Sequence, residues 1–500
     1  MDLTHNINKF FICLIPVCLI SGPFLPDLVA TYLGIFFIAF CIYKKKYENL
    51  KNFYFLFFIL LYIYININSF FSFNPNISFQ SSVPYLRVVL FIFCISFYVK
   101  EDFSFLRFLY FFTYFSLFCL LADSVFQSQT GYNIFQHKID NSLRVSSFFG
   151  DELIMGSYVS RILPVLIGVS YVVKLNFRNY LNIGLLFLAT ILVILSSERL
   201  SLFYLGASLI SYFILEFNKK NLFFLFLIIL TIFLVFKVNK ASYERIFIQT
   251  KNQLVQAGRI IGFSPRHLMH YSTAYEMYLE KKLLGHGLKS FRYLCGKDKY
   301  IQEIIKKKRE YYVVAKEDGY FNFKKESGNQ QQRSINIMYK NQTSEIFGIT
   351  YNLFLYDKNK NLFHEHEINF TKVNKENNYT ESSKYNFAKG DILFVNYDVG
   401  GRCNTHPHNI YMQFLSEIGI LGFLFFITIF GYVVFNLLRI FLRLINKSFL
   451  EKVEKSELFI LLSIFLAMFP LVPSGNYFNN WILVMSYLPI GIYLGLFKKT

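Results

Sequence analysis

Runs of about twenty apolar residues recur along almost the whole chain, and each is long enough to cross the roughly 30 Å hydrocarbon core of a bilayer as a helix. Twelve such runs lie near residues 9–24, 27–43, 53–71, 83–99, 105–122, 153–173, 181–197, 200–217, 221–237, 411–438, 457–474 and 481–497. In lipid the backbone must satisfy its own hydrogen bonds, so runs of this length fold as helices. Apolar residues make up 54% of the 500, more than a water-soluble surface of this size needs. The expected fold is an all-α polytopic membrane protein with about twelve transmembrane helices.

The connections alternate in charge. Lys44, Lys45, Lys46 and Lys51, then Lys174 and Arg178, then Lys219 and Lys220, fall between alternate spans. Arg439, Arg443, Lys447, Lys452 and Lys455 follow, with Lys498 and Lys499 at the end. The short connections Ser21 to Asp27, Asn74 to Tyr85 and Asn476 to Trp481 carry no lysine or arginine. The positive-inside rule then predicts cytoplasmic termini and an outside loop near 238–410, which in a bacterium means the periplasm and an inner-membrane location. Phe10 to Ile20 is apolar, but no small-residue cleavage site follows it, which argues against a cleaved signal.

A net charge of +19 invites a nucleic-acid partner. Phe (62) and Tyr (36) are inflated together with Asn, Ile and Lys, as an AT-rich coding bias would produce. The expected partner is the lipid bilayer, and no nucleic acid.

The chain therefore divides into spans over 1–237, a loop domain over 238–410 and spans over 411–500. Within the loop, Leu268, Tyr271, Tyr275 and Tyr278 recur at helical steps between about 243 and 294. A small β-rich insertion is expected over about 334–400, where Ile346–Tyr356 and Leu362–Val373 flank a turn. Cys13, Cys18, Cys41, Cys94 and Cys119 lie in spans and read as small apolar residues. Cys295 and Cys403 bracket the insertion, and in an oxidising compartment they would form a disulfide.

Three cationic or titratable positions stand out. His408 sits where the long loop enters an apolar run, and imidazole titrates near neutrality, as a general base must. His406 and His408, like His364 and His366, could suggest a metal pair, but no third ligand stands at useful spacing, so no metal is expected. Arg199, in Ser196-Ser197-Glu198-Arg199, puts a positive charge beside the hydrocarbon on the face where positive charge is rare; such a charge is costly unless used, or is a snorkelling arginine paired with Glu198. Arg266 stands at the start of the loop helix, with Arg259 as its competitor.

His408-Asn409, nine residues, then Gly419-x-x-Gly422 resembles the signature of the bacterial O-antigen ligase family. Ser197-Glu198-Arg199 looks like the family's Ser-x-Arg turn. Arg266 ahead of Leu284-Gly285-His286-Gly287 is similar to an arginine that precedes a Pro-Leu-x-Gly-x-Gly element, without its proline. The resemblance implies a GT-C-like glycosyltransferase whose donor is an undecaprenyl-diphosphate-linked glycan and whose acceptor is lipid A-core or another glycan, with no cofactor. It implies His408 as base and Arg199 and Arg266 as catalytic cations on the diphosphate. Asn409, Glu198, Arg259, Arg144, Asp151 with Glu152, and Arg87 are secondary candidates for substrate contact. An O-antigen polymerase and a protein O-oligosaccharyltransferase share this pattern. A non-enzyme reading, a lipid-linked oligosaccharide flippase, explains the spans and arginines but not the His-Asn motif.

Overall fold

A computed structural model describes side chains over residues 3–139, 144–251, 267–297, 299–300, 404–446, 450–470 and 472–498. It describes backbone alone at residues 2, 252–256, 259–260, 265–266, 298 and 447 and in the strands between 310 and 398.

The helices are α1 (Asp2–Cys18), α2 (Phe24–Tyr43), α3 (Phe53–Phe70), α4 (Pro75–Ser82), α5 (Tyr85–Glu101), α6 (Leu106–Thr130), α7 (Met155–Val172), α8 (Arg178–Ser196), α9 (Arg199–Leu215) and α10 (Lys219–Val238). Then come α11 (Lys240–Tyr243), α12 (Gln249–Leu254), α13 (Pro265–Glu280), α14 (Phe291–Leu294), α15 (Ile410–Lys447), α16 (Lys452–Ala467) and α17 (Asn480–Phe497). Asparagine starts several of them: the side chains of Asn52, Asn74, Asn218 and Asn479 accept from backbone N–H groups that the first turn leaves open.

Among the described residues, ten helices are long and apolar enough to cross a membrane. The sequence reading expects twelve. The difference lies in α9 and α16, of 17 and 16 residues, which open on charged residues and so present shorter apolar stretches. Both nevertheless pack inside the bundle. α16 lies along α7, where Ile460 and the Ser456 carbonyl crowd Gly168. α5 and α7 are the most deeply buried helices, whereas α10 turns Phe223, Phe226, Ile229 and Phe233 outward. An outward face of this kind suits lipid rather than water.

The bundle has two distinct ends. The basic connections gather at one, tied by Lys9–Asp102 at 2.7 Å, Lys455–Glu216 at 2.8 Å and Arg439–Glu457 at 2.8 Å. The other end carries the long loop. There the expected continuous helical stretch is interrupted: short strands β1 (Val255–Gln256) and β2 (Arg259–Ile260) pair between α12 and α13. Further along run β3 (Glu310–Val314), β4 (Gly319–Lys325), β5 (Arg333–Tyr339), β6 (Thr343–Phe347), β7 (Thr350–Tyr356), β8 (Leu362–Asn369), β9 (Tyr385–Phe387) and β10 (Ile392–Asp398). Their backbones pair antiparallel in the orders β3-β10-β7-β8 and β6-β5-β4-β9.

α15 is broken. Gly419 has φ 66° and ψ −173°, so the carbonyls and N–H groups around it lose their helical partners. The segment after α13 supplies replacements. Ile420 N donates to Lys282 O at 2.8 Å, His286 N to Ser416 O at 3.0 Å and Gly287 N to Glu417 O at 2.7 Å. Leu284-Gly285-His286-Gly287 is thus a backbone splint for the break in α15.

Candidate active site at the loop end

His408 lies one residue before the Asn409 cap of α15, with φ 56°. A left-handed backbone at a non-glycine residue is held here by its surroundings. Ser474 N donates to His408 O at 2.9 Å, and the Tyr271 hydroxyl reaches the same carbonyl at 3.4 Å. Asn404 Nδ2 lies 2.7 Å from His408 Nε2. An amide nitrogen can only donate, so Nε2 carries the lone pair.

His406 is a different kind of histidine. Its Nε2 faces the Ser474 carbonyl at 3.1 Å and must donate there, while Nδ1 accepts from Thr405 Oγ1 at 2.9 Å. Both nitrogens are spoken for. Burial first, and the nearby Arg292 charge, lower its pKa to about 4. His406 is locked neutral, which leaves His408 as the histidine of the pair with an oriented basic nitrogen.

α13 packs against this junction. The ring centroids of His267, His270 and His406 lie 5.6, 5.2 and 4.3 Å from that of His408. His270 is fully buried. The backbone of Arg266 begins the same helix, one turn before His270. The Arg266 and Arg259 side chains, and those of His364 and His366 on β8, lie outside the described residues. Among the described residues, no three His, Cys, Asp or Glu side chains are grouped to hold a metal ion. Arg292 on α14 is close enough for its charge to act on His406 and Glu417, and the sequence reading missed it, as it missed His267, His270 and Asn404.

Asn409 does not have a free amide. Its Oδ1 accepts from Met412 N at 3.1 Å and its Nδ2 donates to Pro470 O at 2.9 Å. It caps α15 and ties it to the turn before α17. Gln413 extends the tie, bonding Asn476 Oδ1 at 2.7 Å and buried Glu417 at 3.0 Å.

The second part of the site is the α8–α9 turn, where Ser197 has φ 54°. Glu198 is committed to α7. Its carboxylate accepts from Gly156 N at 2.8 Å, Ser157 N at 3.1 Å, Ser157 Oγ at 2.7 Å and Ser201 Oγ at 3.1 Å. A carboxylate at a helix N-terminus meets both the open N–H groups and the helix dipole. Its ion pair is with Arg144, at 3.6 Å. Arg144 also donates to Ser196 O at 3.2 Å and Leu153 O at 2.8 Å. Both residues therefore work as a clasp, and the Arg144 charge acts on Arg199. Arg199 starts α9, and one turn later Phe203 packs on Phe469, next to the Pro470 that holds Asn409. The Arg199 turn and the His408 junction thus flank the same α16–α17 connection.

The remaining candidates fall elsewhere. Arg87 pairs with Asp27 at 2.8 Å. Asp151 and Glu152 are exposed in the turn before α7. Cys295 is buried and disulfide-bonded, and Cys403 lies outside the described residues.

A family model described as O-antigen ligase matches residues 184–323. The match takes in the α8–α9 turn with Arg199, all of α13 with Arg266, and Gly285-His286-Gly287 with Arg292. It stops before His408. No curated protein matches the chain.

Proposed function

We propose that this member of the O-antigen ligase family is a membrane glycosyltransferase that moves a glycan from an undecaprenyl-diphosphate carrier to a lipid A-core hydroxyl on the periplasmic face. In this reading the loop end of the bundle is periplasmic and both termini are cytoplasmic. The observation that carries it is the division of labour at the loop–helix junction. His406 is held neutral with both nitrogens bonded, while His408 presents an oriented basic Nε2 beside the helix that bears Arg266.

The chemistry balances without a cofactor. The acceptor hydroxyl displaces Asn404 at His408 Nε2 and gives up its proton there as its oxygen attacks the anomeric carbon. The bond from that carbon to the phosphate oxygen breaks, and its electron pair leaves with the lipid diphosphate. Attack opposite the leaving group inverts the carbon. Arg199 and Arg266 meet the charge that develops on the diphosphate, since guanidinium groups bind phosphate oxygens bidentately.

The test is loss of His408 with a product assay. A His408→Ala cell should accumulate full-length lipid-linked polymer and bare lipid A-core. A single repeat unit left on the core would instead identify a polymerase, which uses the same donor. Near-normal transfer by His408→Ala would remove the catalytic reading of the junction.

A further inference from the structure

Arg161 sits inside α7 with 8% of its surface exposed. Its guanidinium carbon lies 5.6 Å from the centre of the Tyr204 ring on α9, and Tyr204 is itself buried. Its Nε makes no hydrogen bond, and none of the ion pairs among the described residues includes it. Glu198, the carboxylate bound at the start of α7, is already shared among two N–H groups, two hydroxyls and Arg144. A guanidinium in a membrane-spanning helix without a carboxylate is expensive, and such charges mark ion or substrate pathways. An aromatic face offsets part of that cost and holds the guanidinium in place.

Its depth is set by the clasp. Glu198 binds the first N–H groups of α7, so α7 and α9 start at one level and run in the same direction. Arg161 follows Gly156, and Tyr204 follows Arg199, by the same number of residues. At 1.5 Å per residue both lie about 7.5 Å deeper than the Arg199 turn. Arginine therefore occurs at two depths along the α7–α9 pair: Arg144 and Arg199 at the mouth, and Arg161 below them.

We infer that Arg161 is a further anion-binding residue, which takes the phosphate nearer the membrane in a polyprenyl diphosphate while Tyr204 fixes its guanidinium. This rests on the proposed reading of the site as one that holds a lipid diphosphate. The group acts on a ligand phosphate and moves no proton.

Binding of undecaprenyl diphosphate to the full chain in lipid nanodiscs tests it. Arg161→Gln should weaken binding at least tenfold while leaving the unfolding temperature near that of the wild type. Arg161→Lys, which keeps the charge and protects against a folding artefact, should recover part of that loss. Inorganic pyrophosphate should displace the lipid from the wild type, and about tenfold less well from Arg161→Gln, if the diphosphate is what Arg161 grips. Equal binding, or equal displacement, in the wild type and Arg161→Gln would overturn the inference. If Arg199→Ala also bound the lipid normally, the broader reading of a diphosphate site would fall. Loss of binding in Arg199→Ala alone would remove only the role of Arg161.

Discussion

Gly285 and Gly419 meet backbone to backbone: a Cβ on Gly285 would stand 2.6 Å from Gly419 N, and one on Gly419 would stand 2.7 Å from Gly285 N. Both have positive φ, 70° and 66°. The contact joins a loop glycine to the break in α15, one segment beyond the helix that packs on His408. It gives the two glycine motifs, far apart in the chain, one physical purpose. Each supplies a backbone that can approach the other and leave the helical region where α15 opens.

Alanine at either position should therefore be costly. Overpacking and left-handed strain together amount to about 2–4 kcal/mol. Gly285→Ala and Gly419→Ala should each lower the unfolding temperature of the detergent-solubilised protein. Because both disturb one contact, the double variant should lose less than the sum. Full additivity would mean that the two glycines act independently.

Glu198 offers a second check on the frame. Replacing it by alanine leaves the first N–H groups of α7 and the Arg144 guanidinium without their shared acceptor. Orphaned groups of this kind cost about 2–4 kcal/mol. Transfer should fall along with stability, because the clasp sets where Arg199 begins α9. Glu198→Gln should fall between, as one amide oxygen can still accept. A stable but inactive Glu198→Ala would point instead to direct substrate contact.

Much of this architecture can be read locally. Span length and apolarity act within each helix, so the boundaries of α2, α3, α8, α10 and α17 follow the apolar runs within a few residues. His408, Arg199 and Arg266 stand out because their charge or chemistry is unexpected where they occur. What escaped the sequence are side chains whose meaning depends on docking. His267, His270 and Arg292 matter only once α13 and α14 lie against the start of α15, across more than a hundred residues. Arg161 is a single charge inside an apolar run, and nothing local ties it to Tyr204. The Arg87–Asp27 pair likewise joins residues sixty positions apart. Asn409 could have been recognised by its placement before an apolar helix, the usual position of a capping asparagine.

Acid should act through His406. Its folded pKa, about 4, lies below the ordinary histidine value of 6.5, so the folded state disfavours its protonation. The stability it contributes is complete above about pH 6.5 and is lost as pH falls toward about 4. Asp102, lowered to about 2 by its bonds to Lys9 and Ser104, releases its own contribution only in more acidic solution. The unfolding temperature should thus decline between pH 6.5 and 4.5, and His406→Gln should flatten that decline while starting lower. An unchanged slope in the variant would assign acid sensitivity to other groups.

The reaction itself should separate the residues by role. On the proposed mechanism, His408→Ala should abolish transfer while leaving undecaprenyl diphosphate binding within about twofold, because it would remove the base and no phosphate contact. Asn404→Ala should keep measurable transfer but slow it by about tenfold, since the amide orients Nε2 without taking the proton. Arg199→Ala and Arg266→Ala should weaken binding as well as turnover. Lysine at either arginine should rescue only part of both, as a point charge cannot reproduce a bidentate guanidinium. His406→Ala should damage stability more than it damages the rate per folded molecule, which distinguishes a histidine locked into the fold from one that handles the proton. If His406→Ala and His408→Ala were equally inactive at equal stability, the two imidazoles would share the proton, and the separation read from Ser474, Thr405 and Asn404 would be wrong.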